Sequence, residues 1–231
     1  MSIPINSKNI FVIIPAYNEN SVICSVVKQL ERYGYTIVVI DDGSKTNLYH
    51  TLKKLPVYFL RHQINLGQGA ALQTGIEFAL SKNAEYIVSF DADGQHQPAD
   101  IDNLIQPLLN NEADIVLGSR FIRGATHNMP AARKIFLQIA RYLNYIFTGV
   151  LLSDAHNGLR AMNRNAASGI KIQENRMAHA TELLSQIRKT HLRYLEVPVT
   201  IQYTPYSKEK GQKLVNSFRI FFDLILNKIF K

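Results

Sequence analysis

The first half of the chain repeats one pattern. A short continuous run of β-branched and aliphatic residues is followed by a break rich in Asp, Asn and Gly, and then by a longer segment with helical spacing. The runs are residues 10–14 (IFVII), 36–40 (TIVVI), 57–61, 86–90 (YIVSF) and 114–118 (DIVLG). Helical spacing occupies residues 21–33, 46–55, 67–82 and 98–110. Strands that are apolar on both faces need cover on both faces, and the intervening helices supply it. The pattern predicts an α/β fold, a mostly parallel sheet with helices on either side. Ligands on such sheets bind beyond the carboxyl ends of the strands, and the polar breaks fall there.

The second half reads differently. Residues 130–149 form a helical stretch whose apolar character continues to Leu152, with Arg141 the only charge from Ile135 onward. A β-like segment at 158–163, a helix at 178–189 and a strand within 193–203 follow. Residues 214–231 read as a broad amphipathic helix. Phe218, Phe221, Phe222, Ile225 and Ile229 share one face, and Arg219, Asp223, Asn227 and Lys231 the other. Residues 122–129 are the best candidate for a mobile loop. No repeat or linker divides the chain, so residues 1–231 read as one domain.

Composition narrows the class. With 46% hydrophobic and 19% charged residues, the chain is not disordered. Cys24 is the only cysteine, which excludes a disulfide framework and a Cys-based zinc site and suits a reducing compartment. The N-terminus lacks the basic and long apolar regions of a signal peptide. No stretch of about 20 residues is free of charge, so no conventional spanning helix is expected. The net charge of +8 divides unevenly: residues 1–118 carry 8 basic and 12 acidic side chains, and residues 119–231 carry 18 and 6. A basic back half attracts phosphates, nucleic acid or an anionic membrane.

Four polar breaks carry candidate chemistry. In Pro15-Ala16-Tyr17-Asn18-Glu19, Tyr17 can stack on a base and Glu19 can accept from a ribose or base; an ordinary turn explains the motif as well. In Asp41-Asp42-Gly43-Ser44, two adjacent carboxylates repel. Donors from a nucleoside would offset that, and an Asp-Gly turn with Ser44 capping the next helix is the alternative. Asn65-x-Gly67-x-Gly69-x-Ala71 opens a helix, where free N–H groups favour an anion; close packing of the helix start against the sheet is at least as good an account. Phe90-Asp91-Ala92-Asp93-Gly94-Gln95-His96 is the sharpest. Its carboxylates at i and i+2 can face one side, hard oxygens suit Mg²⁺ or Mn²⁺ beside a diphosphate, and Gln95 or His96 can complete the shell. A turn capping the helix after Pro98 competes with this.

The basic half offers counterparts: Arg120 after the fifth strand, Arg133 at the start of the apolar helix, Arg160, and Lys208, Lys210 and Lys213 in a Gly-containing loop. Each taken alone is more often a solvated surface charge. His179 and Glu182 are helix neighbours, and Glu182 is a candidate general base.

In this order the motifs resemble the family 2 glycosyltransferases of the GT-A fold, most closely the dolichol- and polyprenyl-phosphate sugar transferase branch. The resemblance rests on the four breaks, on Gly118-Ser119-Arg120-Phe121, and on Asp154-x-x-x-Gly158-Leu159-Arg160 and the Lys-Gly-Gln loop. It implies that Pro15, Tyr17, Glu19, Ile40 and Asp42 hold the nucleoside. Asp91 and Asp93 would bind the metal, Ala92 would line the nucleotide site, and Gln95 would lie near the sugar or metal. Arg120 would meet the donor side of the reaction centre, and Arg133 and Lys213 the acceptor or diphosphate phosphates. Glu182 corresponds to an acidic residue on the acceptor-side helix. The chain departs from the branch at Ser207, where an Arg is usual, and at Leu137, where a Ser is usual.

The implied reaction is an inverting, metal-dependent transfer from a GDP- or UDP-sugar to a polyprenyl phosphate. A phosphate acceptor is already ionised near neutral pH and needs no strong base. A hydroxyl acceptor, as in polysaccharide assembly, needs Glu182 or Asp154. The enzyme is then expected in the cytoplasm, peripheral at the inner face of the membrane, touching it through residues 135–152 and 214–231; core packing or a dimer is the alternative use of those faces. A nucleic-acid-binding module explains the basic half but leaves Asp91 and Asp93 without a role.

Overall fold

The computed structural model describes residues 7–127, 131–176 and 178–202. Its strands are β1 (Ile10–Ala16), β2 (Thr36–Asp41), β3 (Val57–Arg61), β4 (Tyr86–Ser89), β5 (Ile115–Ser119), β6 (Thr126–His127), β7 (Arg160–Asn163), β8 (Tyr194–Pro198) and β9 (Thr200–Ile201). The helices are α1 (Ile23–Glu31), α2 (Tyr49–Leu52), α3 (Gln68–Ser81), α4 (Asp100–Leu109), α5 (Ala131–Thr148), α6 (Arg164–Gly169) and α7 (His179–Lys189). The seven-stranded sheet runs β3-β2-β1-β4-β7-β5-β8. Its pairs are parallel except those made by β7, which lies antiparallel between β4 and β5. The sheet is therefore mostly parallel, as its unbroken apolar strands require.

Alternation along each strand divides the core in two. Val12, Ile14, Ile37 and Val39 face α1 and α4, packing on Val27, Leu30, Leu104 and Ile105. Phe11, Ile13, Val38 and Ile40 face the opposite layer, against Leu72 and Ile76 of α3 and Leu183 and Leu184 of α7. Gly75 lets α3 lie close to the sheet. A Cβ there would stand 2.9 Å from the Ile40 Cδ1 and 3.1 Å from the Ile13 Cβ. Burying one such aliphatic side chain stabilises by roughly 1.5–3 kcal/mol.

The chain moves outward from β1 through β2 to β3, then returns to place β4 on the other side of β1. The crevice between the ends of β1 and β4 is thus the switch point at which such sheets bind ligands.

Three expectations need correction. The second helix is short, Tyr49–Leu52, because Asn47 turns its side-chain oxygen onto the Tyr49 N–H at 2.9 Å and delays the start. Residues 122–129 are not wholly loop: Thr126 and His127 pair with Thr200 and Ile201 in a small second sheet. Ile40 is fully buried beneath α3, so its side chain does not line the crevice between β1 and β4. The terminal amphipathic segment 214–231 and Lys213 lie outside the described residues. Among those described, no helix is long and apolar enough to cross a membrane.

Candidate active site

A cleft of about 360 Å³ opens at the carboxyl ends of β1 and β4. Each of the four polar breaks contributes to it, and the structure shows how each is held there.

After β1 the chain turns at Asn18, in the left-handed region at φ 57°. The Asn18 N–H donates to Ser44 Oγ at 2.8 Å, and its side-chain oxygen accepts from the Lys45 N–H at 2.9 Å. The turns after β1 and β2 are thereby tied together. Tyr17 is left 42% exposed at the cleft, with Pro15 and the buried Glu19 beside it. Ser44 serves this cross-link rather than capping a helix.

The paired acids after β2 separate their tasks. Asp41 is buried, accepts from the Ser44 N–H at 2.9 Å and lies 3.6 Å from Arg61 Nε. Asp42 lines the cleft. Its Oδ1 meets His62 Nδ1 at 2.8 Å and the Leu66 N–H at 3.0 Å, and its Oδ2 takes the Gly67 N–H at 2.7 Å. His62 is backed in turn by Thr74 at 3.0 Å. The protein's own donors offset the repulsion that the sequence alone would assign to a ligand.

The glycines that open α3 serve packing. The N–H groups of Gly69 and Ala70 both point at the Asn175 carbonyl. A Cβ on Gly67 or Gly69 would collide with the Asn175 or Glu174 carbonyl. The helix start is therefore closed to an anion, and it packs on the 173–176 loop rather than on the sheet.

Asp91 and Asp93 both line the cleft, with Ala92 and Gln95. His96 Nε2 donates to Asp91 Oδ2 at 3.0 Å, and Gln68 Nε2 donates to Oδ1 at 3.2 Å. Asp93 accepts from the Gln95 N–H at 3.0 Å. Burial acts to raise the Asp91 carboxyl, but the His96 hydrogen bond and the Arg160 charge prevail and hold it below the usual range. Gly158 makes room for this carboxylate, since a Cβ there would overlap both Asp91 oxygens. Among the described residues no three His, Cys, Asp or Glu side chains cluster to hold a metal. Two hard carboxylates fit a Mg²⁺ or Mn²⁺ site whose remaining ligands are diphosphate oxygens and water.

The far wall comes from the basic half. Arg120 is buried at the cleft and gripped by Asp154, with Nε to Oδ2 at 2.5 Å and Nη2 to Oδ1 at 2.7 Å. Arg160 is buried beside it and donates from Nε to the Asn157 carbonyl at 3.0 Å. His156, Asn157 and His179 complete the wall. Burial pushes both histidines down to about 4. Asn157 turns its side-chain oxygen to the Leu159 N–H, while its Nδ2 is buried with no partner among the described residues.

Two residues expected as bases are engaged elsewhere. The Glu182 carboxylate accepts from the backbone N–H of Gln173 at 3.0 Å and of Glu174 at 2.9 Å, so it secures the 173–176 loop and does not line the cleft. Asp154 is committed to Arg120, whose charge and hydrogen bonds outweigh burial and hold the acid below its usual range. Arg133 lies in the first turn of α5, its side chain outside the described residues. Sequence reading missed His62, Gln68 and His156. Gln68 and His156 carried a signal, their places inside the motifs from Asn65 to Ala71 and from Asp154 to Arg160; His62 carried none.

Residues 11–170 match the family described as Glycosyl transferase family 2. The UDP-N-acetylglucosamine–dolichyl-phosphate N-acetylglucosaminyltransferase of Methanococcus voltae is 34% identical over 97% of this chain and 98% of its own length. The dolichol-phosphate mannosyltransferase of Pyrococcus furiosus is 28% identical over 93% of this chain and 63% of its own. Among solved structures, glucosyl-3-phosphoglycerate synthase from Mycobacterium tuberculosis, in complex with Mn²⁺, UDP and glucosyl-3-phosphoglycerate, superposes with a TM-score of 0.66. It is 19% identical and covers 88% of this chain and 75% of its own.

Proposed function

The chain belongs to glycosyl transferase family 2 and is a glycosyltransferase of GT-A fold; within that family we propose that it transfers a sugar from a nucleotide-sugar donor to a polyprenyl phosphate. Relatives named for dolichyl-phosphate acceptors support the acceptor class. The observation that carries the reading is the engagement of Glu182 and Asp154. A hydroxyl acceptor requires a base, whereas a phosphate monoester arrives as an anion and attacks without one.

The chain's own residues take up the following parts. Tyr17 and Asp42 receive the nucleoside, the first by stacking on its exposed face and the second through a carboxylate fixed by His62 and Gly67. Asp91 and Asp93 hold a divalent cation, which supplies Lewis-acid neutralisation of charge on the leaving diphosphate. His96 and Gln68 orient Asp91 so that its oxygens need no reorganisation during the reaction. Arg120, kept rigid by Asp154, presents positive charge where the incoming phosphate and the donor meet. Attack opposite the diphosphate inverts the anomeric centre. The apolar residues exposed on α5, among them Ile139, Tyr142 and Ile146, suit peripheral contact with the cytoplasmic face of the membrane.

A thermal-shift screen of UDP- and GDP-sugars with Mg²⁺ or Mn²⁺ tests the donor half, because a ligand of the native state raises its melting temperature by mass action. A metal-dependent shift with one nucleotide class is expected. No shift with any donor, with or without metal, would contradict the proposal.

A further inference from the structure

His179 opens α7 at the wall of the cleft and is 5% exposed. Its Nδ1 lies 2.7 Å from the Arg176 carbonyl oxygen. A carbonyl only accepts, so Nδ1 carries the proton and donates. In the neutral ring the other nitrogen, Nε2, is then left as a lone-pair acceptor. The surroundings keep the ring neutral: burial and the nearby Arg160 charge both oppose a second proton. The mount is rigid. Glu182, one turn further along α7, fixes the 173–174 backbone, and Asn175 of the same loop is bound by the start of α3. Gly69 leaves space for the base of the side chain, since a Cβ there would stand 2.9 Å from the His179 Cβ.

This part of the cleft carries the donors Arg120, Arg160 and the Asn157 amide nitrogen, and its nearby acceptor, Asp91, is already met by Gln68 and His96. A neutral imidazole with a fixed acceptor among these donors is suited to a group that donates a hydrogen bond. His179 is near enough to Asp91 for the two to interact electrostatically. The group that reaches this place beside the diphosphate end of a nucleotide sugar is the sugar itself.

We propose that His179 is a specificity-determining residue, its Nε2 accepting a hydrogen bond from one hydroxyl of the transferred sugar. The assignment rests on the nucleotide-sugar reading above. A site built to bond a hydroxyl discriminates strongly against an analogue that lacks it, because the buried partner is left unpaired.

The test compares kcat/KM for the UDP- or GDP-hexose that the wild type uses fastest with its set of monodeoxy analogues, in wild type, His179→Gln and His179→Asn. The Gln amide reaches the Nε2 position, and the Asn amide reproduces the Nδ1 position that anchors the loop. Wild type is expected to lose tenfold or more at one deoxy position. His179→Gln retains a penalty at that position, and His179→Asn shows none there. Equal deoxy penalties in wild type and His179→Asn would overturn the assignment. So would full recovery by Asn and not by Gln, the mark of a loop anchor alone. A wild type that transfers from no nucleotide sugar would instead overturn the proposed function, and this assignment with it.

Discussion

Arg120 and Asp154 form a two-point ion pair with both side chains buried at the cleft wall. Removing one partner leaves the other as an uncompensated buried charge, which costs about 3–5 kcal/mol. Asp154→Ala should lower unfolding free energy by that amount in urea denaturation. Replacing both with leucine should recover most of the stability and none of the activity. That difference separates the structural role of the pair from the part proposed for Arg120 in the reaction.

Gly158→Ala places a methyl group where the Asp91 carboxylate stands. Displacement of a reacting group by about 1 Å costs on the order of 100-fold in rate. The variant should fold, lose kcat/KM by about that factor, and lose the metal-dependent part of the donor thermal shift. An unchanged metal response would show that Asp91 does not bind the cation.

Glu182→Gln keeps one acceptor oxygen for the Gln173 and Glu174 N–H groups and gives up the charge. A hydrogen bond to a charged group contributes about 1.5–3 kcal/mol, so a loss of stability in that range is expected. The shape of the pH–rate profile should stay as in wild type. Disappearance of one ionisation from that profile would restore Glu182 as the base.

His156 and His179 are both pushed down to about 4 by burial, below the ordinary value near 6.5. The unfolded chain therefore binds protons that the folded chain refuses. Their contribution is fully present above pH of about 6.5 and is lost as pH falls towards about 4, on the order of 3 kcal/mol for each ring. Stability measured across that window should fall steeply in wild type and less steeply in His156→Gln/His179→Gln.

Asp114 behaves as the acid counterpart. Hydrogen bonds from Arg193, at 2.9 Å and 3.1 Å, bring it down to about 2. Its stabilisation is complete above the unfolded value near 4 and is lost as pH falls from there through about 2. Asp114→Asn should remove that part of the acid limb and leave the histidine window unchanged.

The sheet was legible because its strands are unbroken apolar runs, and the place of Asp91 and Asp93 because two carboxylates end such a run abruptly. The direction of Ile40 was also available. It shares the two-residue alternation of Val38, which puts it under α3 and away from the cleft. What the sequence withheld are partners far apart in the chain. Nothing in the spacing reveals that the Glu182 carboxylate accepts from the 173–174 backbone. Adjacent Asp41 and Asp42 look frustrated until Arg61, His62 and Gly67 arrive from the next strand and loop. The tautomer of His179 depends on one carbonyl, which no spacing rule reveals.

The most direct measurement incubates the purified chain with a labelled UDP- or GDP-sugar, Mn²⁺ or Mg²⁺, and either a short-chain polyprenyl phosphate or a free saccharide. The account predicts label on the polyprenyl phosphate, release of the nucleoside diphosphate, and loss of both with Asp91→Asn. Label passing to the saccharide and not to the polyprenyl phosphate would contradict it.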